Sequence, residues 1–316
     1  QNEDDWRAGA PDALTIGQYF QQNGCRVEGG GKIFHLSQND LKSWHHYEAF
    51  AKDVMPPKKP MNGIPNTANF DWGPIQADDE DTADTKIVRW AEGFLKKKQE
   101  QPFFLAVGLY RPHLPWYVPQ KYFDRFPPKD TRLPEVLEND IDDVPKSALR
   151  TLKDHENVTK HNQWHTAVAA YLACINYTDT NLGRLLDALE ESPHAGNTII
   201  VLWSDHGWQL GEKQQWRKFT LWERSVRVNL MAYAPGVTKP NQVCDHPVEL
   251  LSLYPTLVEL CGLPKKDGLD GRSIVPLLRN PKAKWDHPAI TSNGHDKVTV
   301  RTSRWRYSKF PDGEEL

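Results

Sequence analysis

The chain has 316 residues, enough for two domains of about 150 residues each or one large α/β domain with an appendage. Its 39 Lys and Arg residues against 42 Asp and Glu residues give a net charge of −3, which argues against a nucleic-acid-binding protein. Mean hydropathy is −0.68, yet 12 Trp, 11 Phe and 10 Tyr supply bulky core material, so the chain is predicted to be globular. No apolar run approaches the ~20 residues of a membrane span.

The N-terminal region is predicted to hold one helix and one strand-like segment. Apolar residues recur at helical spacing over residues 15–23. Residues 25–35 have a strand-like pattern, and we expect the three glycines at 29–31 to interrupt it. The proline-rich stretch 55–66 is predicted to be a loop.

The middle of the chain alternates between helical and strand patterns. Residues 82–98 predict an amphipathic helix, and the continuous apolar run 103–109 predicts a buried strand. Residues 127–165 are polar and proline-bearing, which is typical of a loop with at most a short helix. A long helix over 167–191 and a buried strand over 198–203 repeat the same order.

The C-terminal part ends this alternation. A third strand is predicted over 228–234 and a further helix over 249–261. Strands alternating with long helices favour an α/β fold, with a mostly parallel sheet covered by helices on both faces. From residue 281 the pattern changes to short strands, most clearly at 299–310. We therefore expect a core over residues 1–280 and the start of a small antiparallel subdomain over 281–316.

Candidate functional residues follow the predicted strands, because ligands of open α/β sheets bind beyond the carboxyl ends of the strands. Asp205 and His206 directly follow the strand at 198–203. A carboxylate oxygen and an imidazole nitrogen suit a divalent cation. The alternative interpretation is that Asp205 caps the next helix and that His206 is a surface residue.

A second candidate follows the strand at 103–109, where the sequence reads YRPHLPW. Pro112 and Pro115 restrict the loop around His113. A restricted histidine suits a positioned acid or hydrogen-bond donor, and a purely structural histidine is the alternative.

Basic residues complete the candidate set. Lys32 and His35 follow the glycines, and a turn is required for both to reach one anion, since an extended segment would point them to opposite faces. Lys218 is a natural partner for an oxyanion, with Arg217 and Lys213 as competitors and a solvated surface as the alternative for all of them. Together these signals describe a pocket for an anion.

Long blocks of this sequence resemble one enzyme family. SDHGWQLGE at 204–212, followed by Lys218, is similar to the second signature region of the type I sulfatases. PFFLAVGLYRPHLP at 102–115 resembles the iduronate-2-sulfatase-like branch of that family. Three further regions resemble the same branch: GKIFH at 31–35, FDWGP at 70–74, and ELLSLYPTL at 249–257 with GLDGRS at 268–273.

The resemblance implies an alkaline-phosphatase-like α/β sandwich and hydrolysis of a sulfate ester of a carbohydrate. Asp205 and His206 would be ligands of Ca²⁺ or a similar divalent cation. Lys32 and Lys218 would hold the sulfate oxygens.

The resemblance assigns three further roles. His35 would assist at the hydroxyl of the nucleophile, His113 would be the proton donor to the leaving sugar oxygen, and Trp208 would line the substrate pocket. The implied partner is a sulfated saccharide, and the implied location is secreted, periplasmic or lysosomal.

The sequence departs from the family at the nucleophile. The family uses a formylglycine made from the Cys of a Cys-x-Pro-Ser-Arg motif, and none of the cysteines here has that context: Cys25, Cys174, Cys244 and Cys261. The family's first two metal-binding aspartates are also absent. We expect an N-terminally truncated sulfatase that is inactive as this piece. Two alternatives stay open: a catalytically dead module that binds sulfated glycans, and a phosphodiester or phosphonate hydrolase of the same superfamily.

Overall fold

The computed structural model of the chain describes residues 6–35, 39–67 and 69–316. The chain divides into two compact units. Unit 1 comprises Gln1–Leu133 and Val158–Gly196, and unit 2 comprises Pro134–Asn157 and Asn197–Leu316. The boundary predicted from the sequence, between a core over 1–280 and a subdomain over 281–316, stays a prediction.

Unit 1 is built around parallel strands. In chain order they are β1 (Arg26–Gly31), β2 (His46–Glu48), β3 (Trp72–Ile75), β4 (Phe103–Gly108) and β5 (Trp116–Pro119). β1 pairs in parallel with β2 on one side and with β4 on the other, and β3 pairs in parallel with β5. The parallel pairing of β1, β2 and β4 agrees with the sheet type that the sequence predicts.

Six α-helices, three of them predicted from periodicity, precede residue 191 in the described part of the chain. They are α1 (Trp6–Gly9), α2 (Ile16–Gln22), α3 (Ala83–Leu95), α4 (Gln120–Phe123), α5 (Lys153–Lys160) and α6 (Trp164–Glu190). α2 begins at a capping box, in which Gln18 N donates to Thr15 Oγ1 at 3.2 Å and Thr15 N donates to Gln18 Oε1 at 3.0 Å. The helices predicted over 15–23, 82–98 and 167–191 are therefore confirmed.

The core of unit 1 lies between α3, α6 and the β3–β5 pair. Phe70, Trp72 and Trp116 form an aromatic cluster with ring centroids 5.2 to 6.3 Å apart. Tyr171 of α6 meets the Trp116 ring edge-on at 5.5 Å. Phe70, Trp72 and Trp116 are almost fully buried, and such rings bury large apolar areas against their neighbours.

Unit 2 contains short strands and short helices. The strands are β6 (Ile200–Trp203), β7 (Gln209–Leu210), β8 (Trp216–Arg217), β9 (Leu230–Tyr233), β10 (Ala289–Ser292), β11 (Val298–Arg301), β12 (Arg306–Phe310) and β13 (Gly313–Glu315). The helices are α7 (Glu223–Val226), α8 (Leu253–Leu260) and α9 (Val275–Arg279). Strands β10 to β13 form an antiparallel sheet in chain order, as the change of pattern after residue 281 predicts.

Two local expectations were wrong. The glycines at 29–31 do not interrupt a strand, because they lie inside β1 and pair with β4 along its length. β6 and β9 are antiparallel, not parallel. A parallel pair needs a long crossover, usually a helix, and the chain between these two strands holds only a hairpin and the single turn of α7.

The strands predicted to be buried are only half-buried. Every residue of β4 is of intermediate exposure, and Trp203 at the end of β6 is 44% exposed. Each of these strands pairs with one neighbour among the described residues, and that pairing leaves one edge uncovered. In the described ranges, no helix is both long enough and apolar enough to cross a membrane.

Candidate active site

Two glycines set the geometry where β1 and β4 end. Gly31 has φ +82°, and a Cβ there would collide with the backbone oxygen of Gly108. A Cβ on Gly108 would collide in turn with the backbone of Lys32. Only glycine permits this close approach, in which Lys32 N donates to Gly108 O at 2.8 Å.

Lys32, His35 and His113 follow the carboxyl ends of these neighbouring parallel strands. Strand β1 ends at Gly31, and residues 32–35 form a bend instead of an extended segment. The turn that Lys32 and His35 would need to reach one anion is therefore present. His113 lies in the loop after β4, so unit 1 brings all three residues to the same edge of its sheet.

The loop that carries His113 is held by hydrogen bonds from its own residues. His113 N donates to Tyr110 O at 3.0 Å, and Trp116 Nε1 donates to Pro112 O at 3.0 Å. The His113 Nδ1 atom lies 2.7 Å from Leu114 O. Because a carbonyl oxygen only accepts, Nδ1 must carry a proton there, and any second proton on the ring would be gained and lost at Nε2.

A buried network below this loop was missed by the sequence analysis. The Asp84 carboxylate accepts from Tyr110 N at 2.6 Å and from Arg111 N at 2.9 Å. Arg111 Nη2 donates to Asp53 Oδ2 at 2.6 Å, and its Nε donates to Tyr117 O at 3.1 Å. Burial raises the pKa of Asp84 to about 6, although Arg111 and the two N–H donors act in the opposite direction.

The burial of Asp84 could have been predicted from the helical periodicity of the sequence. It lies on the same helical stripe as Ile87, Val88 and Ala91, all of which are buried. A carboxylate on the apolar face of a helix must have buried partners, since a lone buried charge is costly. The partners themselves, 26 and 27 residues away, could not be read from spacing.

In unit 2, Asp205 and His206 follow β6 as predicted, and Asp205 does not cap a helix. Residues 204–208 form no helix, so the capping alternative is wrong. His206 Nδ1 lies 2.8 Å from Gly207 O, which fixes the proton on that nitrogen and directs Nε2 toward Asp205 Oδ2 at 3.6 Å. A Cβ at Gly207 would collide with the backbone oxygen of Arg224, so this tight turn also requires glycine.

The pair fits part of a cation site. A metal-ligating histidine commonly donates its other ring N–H to a backbone carbonyl, as His206 does, and the Asp205 side chain is 63% exposed. Ca²⁺ takes six to eight oxygen ligands. Within the described residues no group of three or more His, Cys, Asp or Glu side chains is placed to hold a metal ion. Asp205 and His206 alone would not complete such a site, and their role as metal ligands stays a prediction.

Trp208 and Lys218 flank the β7–β8 hairpin. They directly precede and follow the paired residues Gln209 and Arg217. The Trp208 ring is 9% exposed and packs 5.8 Å from the His206 ring. The Lys218 ammonium lies 5.4 Å from the centroid of the Phe219 ring. Unit 2 thus gathers Asp205, His206 and Trp208 after one strand and Lys218 beside the same hairpin.

The two competitors of Lys218 are held in ion pairs. Arg217 Nη2 donates to Asp154 Oδ1 at 3.1 Å. Lys213 Nζ donates to Asp140 Oδ1 at 2.8 Å and stands 5.4 Å from the Trp222 ring. These contacts give Arg217 and Lys213 structural roles.

Comparison with known proteins identifies the family. The Sulfatase family model matches residues 7–263. The chain is 36% identical over 320 residues to a protein of Formosa agariphila named Sulfatase, a match that covers 96% of this chain and 63% of that protein. The chain belongs to the sulfatase family.

A more particular likeness is to iduronate 2-sulfatase of Homo sapiens. The two are 29% identical over 315 residues, which cover 82% of this chain and 56% of that protein. The chain therefore spans 63% and 56% of the lengths of these two curated relatives.

Solved structures agree on the fold. A 2-O GAG sulfatase matches with a TM-score of 0.71 and 20% identity, covering 96% of this chain and 67% of that chain. The phosphonate monoester hydrolase SpPMH from Silicibacter pomeroyi matches with a TM-score of 0.76 and 19% identity, covering 96% and 73%. At these identities the likeness establishes the mixed α/β fold and carries no information on the substrate.

Proposed function

We propose that the chain is part of a sulfuric ester hydrolase that acts on a sulfated carbohydrate, in the manner of iduronate 2-sulfatase. The His113 loop carries this proposal. It holds an imidazole in the loop after β4, with Nδ1 donating to Leu114 O, so a proton exchanged with the substrate would pass through Nε2. A fixed acid is needed in this chemistry because the leaving alkoxide of a sugar is a poor leaving group.

In this proposal His113 Nε2 delivers the proton to the leaving sugar oxygen. The Nδ1 proton stays on the hydrogen bond to Leu114 O throughout, so the ring loses and regains its proton at Nε2 alone. The hydrogen bonds of the loop keep the ring from turning away. General acid catalysis of this kind contributes typically 10²–10⁴-fold in rate.

Lys32 and Lys218 would hold the nonbridging oxygens of the sulfate. Attack at sulfur spreads negative charge over these oxygens, and ammonium groups placed beforehand stabilise that charge more strongly in the transition state than in the ground state. Lys32 follows the glycine crossing at the end of β1, where its backbone N–H is held by Gly108 O. Its position is therefore set by backbone contacts.

The remaining roles concern groups that this sequence only partly supplies. Asp205 and His206 would hold a divalent cation such as Ca²⁺, which, when bound, would offset the sulfate's negative charge. His35 would assist at the hydroxyl of the nucleophile, and Trp208 would line the sugar pocket. Formylglycine has no precursor motif among the 316 residues, so the nucleophile and the further carboxylate ligands would come from sequence outside them.

The first test separates binding from turnover in the 316-residue chain. We expect it to bind a 2-O-sulfated uronate disaccharide at low salt in calorimetry, and Lys218→Ala to weaken that binding about tenfold because one charge-assisted contact is lost. Lys309→Ala, at an exposed position of β12, is the matched control and should leave the affinity unchanged. Absence of binding at low salt would contradict the proposal.

The second test addresses the chemistry. The chain alone should show no aryl sulfate hydrolysis, and turnover above the blank that is lost in His113→Ala would show that the nucleophile lies within these residues. A longer form carrying Cys-x-Pro-Ser-Arg should hydrolyse aryl sulfate faster than an aryl phosphodiester. The reverse preference would favour the phosphonate or phosphodiester hydrolase alternative.

A further inference from the structure

An exposed aromatic ring in unit 2 lies close to two cations. The Phe219 ring is 46% exposed. The Arg150 guanidinium carbon lies 5.6 Å from the ring centroid, and the Lys218 ammonium lies 5.4 Å from it. An exposed ring with a guanidinium and an ammonium near it offers an apolar surface with positive charge beside it.

Two arginines, Arg150 and Arg217, face a single carboxylate, that of Asp154, so positive charge is in excess here. Arg217 Nη2 lies 3.1 Å from Asp154 Oδ1, while Arg150 Nη1 reaches Asp154 Oδ2 only at 4.0 Å. Burial, and after it the neighbouring Arg217, lowers the pKa of Arg150 below its ordinary value. A guanidinium stays charged at neutral pH nonetheless, so a bound anion would relieve the repulsion between the two arginines.

Arg150 and Phe219 are held in place by hydrogen bonds to their backbone atoms. Arg150 N donates to Oε1 of the fully buried Gln215, which joins Arg150 to the hairpin that ends beside Lys218. Phe219 has φ +77°, an unfavourable conformation for a non-glycine residue, and Asn293 Nδ2 donates to its carbonyl oxygen at 2.9 Å. The surrounding structure therefore holds an aromatic residue at the surface against its local preference, which is typical of functional positions.

We propose that Arg150 and Phe219 form a subsite that binds a second oxyanion of the substrate, a carboxylate or a further sulfate, next to the sulfate held by Lys218. Arg150 presents the planar fork that pairs with a carboxylate or sulfate, and the ring of Phe219 carries the apolar face of the sugar. This inference rests on the proposed function, because it places the subsite relative to the sulfate at Lys218. It makes the preferred substrate a saccharide with two negative charges.

Calorimetry of the 316-residue chain with three sugars tests the subsite. The probes are a heparin-derived disaccharide with a 2-O-sulfated uronate, its carboxyl-reduced form, and its form without sulfate on the glucosamine. We expect the intact sugar to bind about tenfold tighter than whichever form lacks the recognised oxyanion. Arg150→Ala should reduce that ratio to about one. Arg304→Ala is the matched control, since Arg304 also stacks on an exposed ring, 5.0 Å from the Trp305 centroid, and it should leave the ratio unchanged.

A second variant keeps the test valid if Arg150→Ala is unstable. Arg150→Lys retains the charge without the fork and should keep only part of the preference, with a thermal melting curve confirming the fold. Equal affinity of the wild-type chain for all three sugars, or an unchanged ratio in Arg150→Ala, overturns the subsite alone. Failure of every sugar to bind the wild-type chain contradicts the proposed function itself.

Discussion

The His113 loop and the Lys218 segment both follow strands, yet they are held in different ways. The His113 loop rests on a fully buried carboxylate, Asp84, and on the glycine crossing of β1 and β4. The Lys218 segment, residues 211–219, contains four non-glycine residues with positive φ: Lys213, Gln214, Arg217 and Phe219. Gln215 and Trp216 anchor it in the interior, and ion pairs of Lys213 and Arg217 hold it near the surface. The comparison teaches that one part of the candidate site is set by the interior of its own unit, while the other tolerates strain close to solvent.

The largest effect is expected at the glycine crossing. Gly31→Ala would place a Cβ against the Gly108 oxygen at a φ of +82°. Strain and overpacking together should lower the free energy of unfolding by roughly 2–6 kcal/mol, measured by urea unfolding. Gly93→Ala in α3 is the control, because no atom lies within 4 Å of its added Cβ, and it should raise stability by about 0.5–1 kcal/mol. A neutral Gly31→Ala would show that the two strands are not in close contact.

The next effect concerns the support of the His113 loop. Asp84→Ala removes the acceptor of two buried backbone N–H groups, which should cost about 2–4 kcal/mol in urea unfolding. Burial raises the pKa of Cys174 to about 12, with Asp84 and Arg111 among the nearby charges, so its reaction with a thiol reagent should be slow in the native chain and faster in this variant. Asp187→Ala, at an exposed position of α6, should change neither. Unchanged stability in Asp84→Ala would contradict the claim that the Asp84 carboxylate holds the His113 loop in place.

The pH dependence of stability sharpens the same point. The pKa of Asp84 is about 6 in the folded chain and lies near its ordinary value when unfolded, so the folded state binds the proton more tightly. Its contribution to stability is therefore greatest below about pH 4 and falls as pH rises toward 6, by about 3 kcal/mol at most. The difference between wild-type and Asp84→Asn chains in urea unfolding isolates it. A difference that is constant from pH 4 to pH 7 would contradict this titration.

The smallest effect is expected in the Lys218 segment. Gln214 has φ +54°, a conformation that costs a non-glycine residue about 1–2 kcal/mol. Gln214→Gly should raise the free energy of unfolding by up to about 1 kcal/mol, since the added freedom of the unfolded chain offsets part of the gain. The opposite signs expected for Gly31→Ala and Gln214→Gly are the clearest expression of the comparison. A marked loss of stability in Gln214→Gly would show that this side chain makes contacts that outweigh its strain.

The sequence predicts much of the fold because periodicity reports which face of an element is buried. The helices at 15–23, 82–98 and 167–191 and the strands at 103–109 and 198–203 fall close to their structural bounds. The direction of β9 could not be predicted, since direction depends on the path of the connection. Nor does a run of apolar residues reveal that β4 pairs on one side only among the described residues.

The candidate site shows the same limit. The residues that follow β1, β4 and β6 lie in loops, as the sequence predicts, but the bend at 32–35 was stated only as a requirement for Lys32 and His35 to reach one anion. The support by Asp84, Arg111 and Asp53 joins positions up to 58 residues apart, and the positive φ of Phe219 has no sequence signal, because only glycine and asparagine commonly announce that conformation. Contacts across such separations become visible only once the chain is folded.

The most direct test of the account follows side-chain nitrogens during titration of the ¹⁵N-labelled chain with inorganic sulfate at low salt. The proposal assigns one sulfate to Lys32 and His113, which follow neighbouring strands of unit 1. We predict that the His113 Nε2 signal and the Lys32 ammonium signal shift with a single dissociation constant, while the His113 Nδ1 proton keeps its bond to Leu114 O. Signals that saturate at different sulfate concentrations, or that do not move at all, would contradict the claim that these residues serve one sulfate.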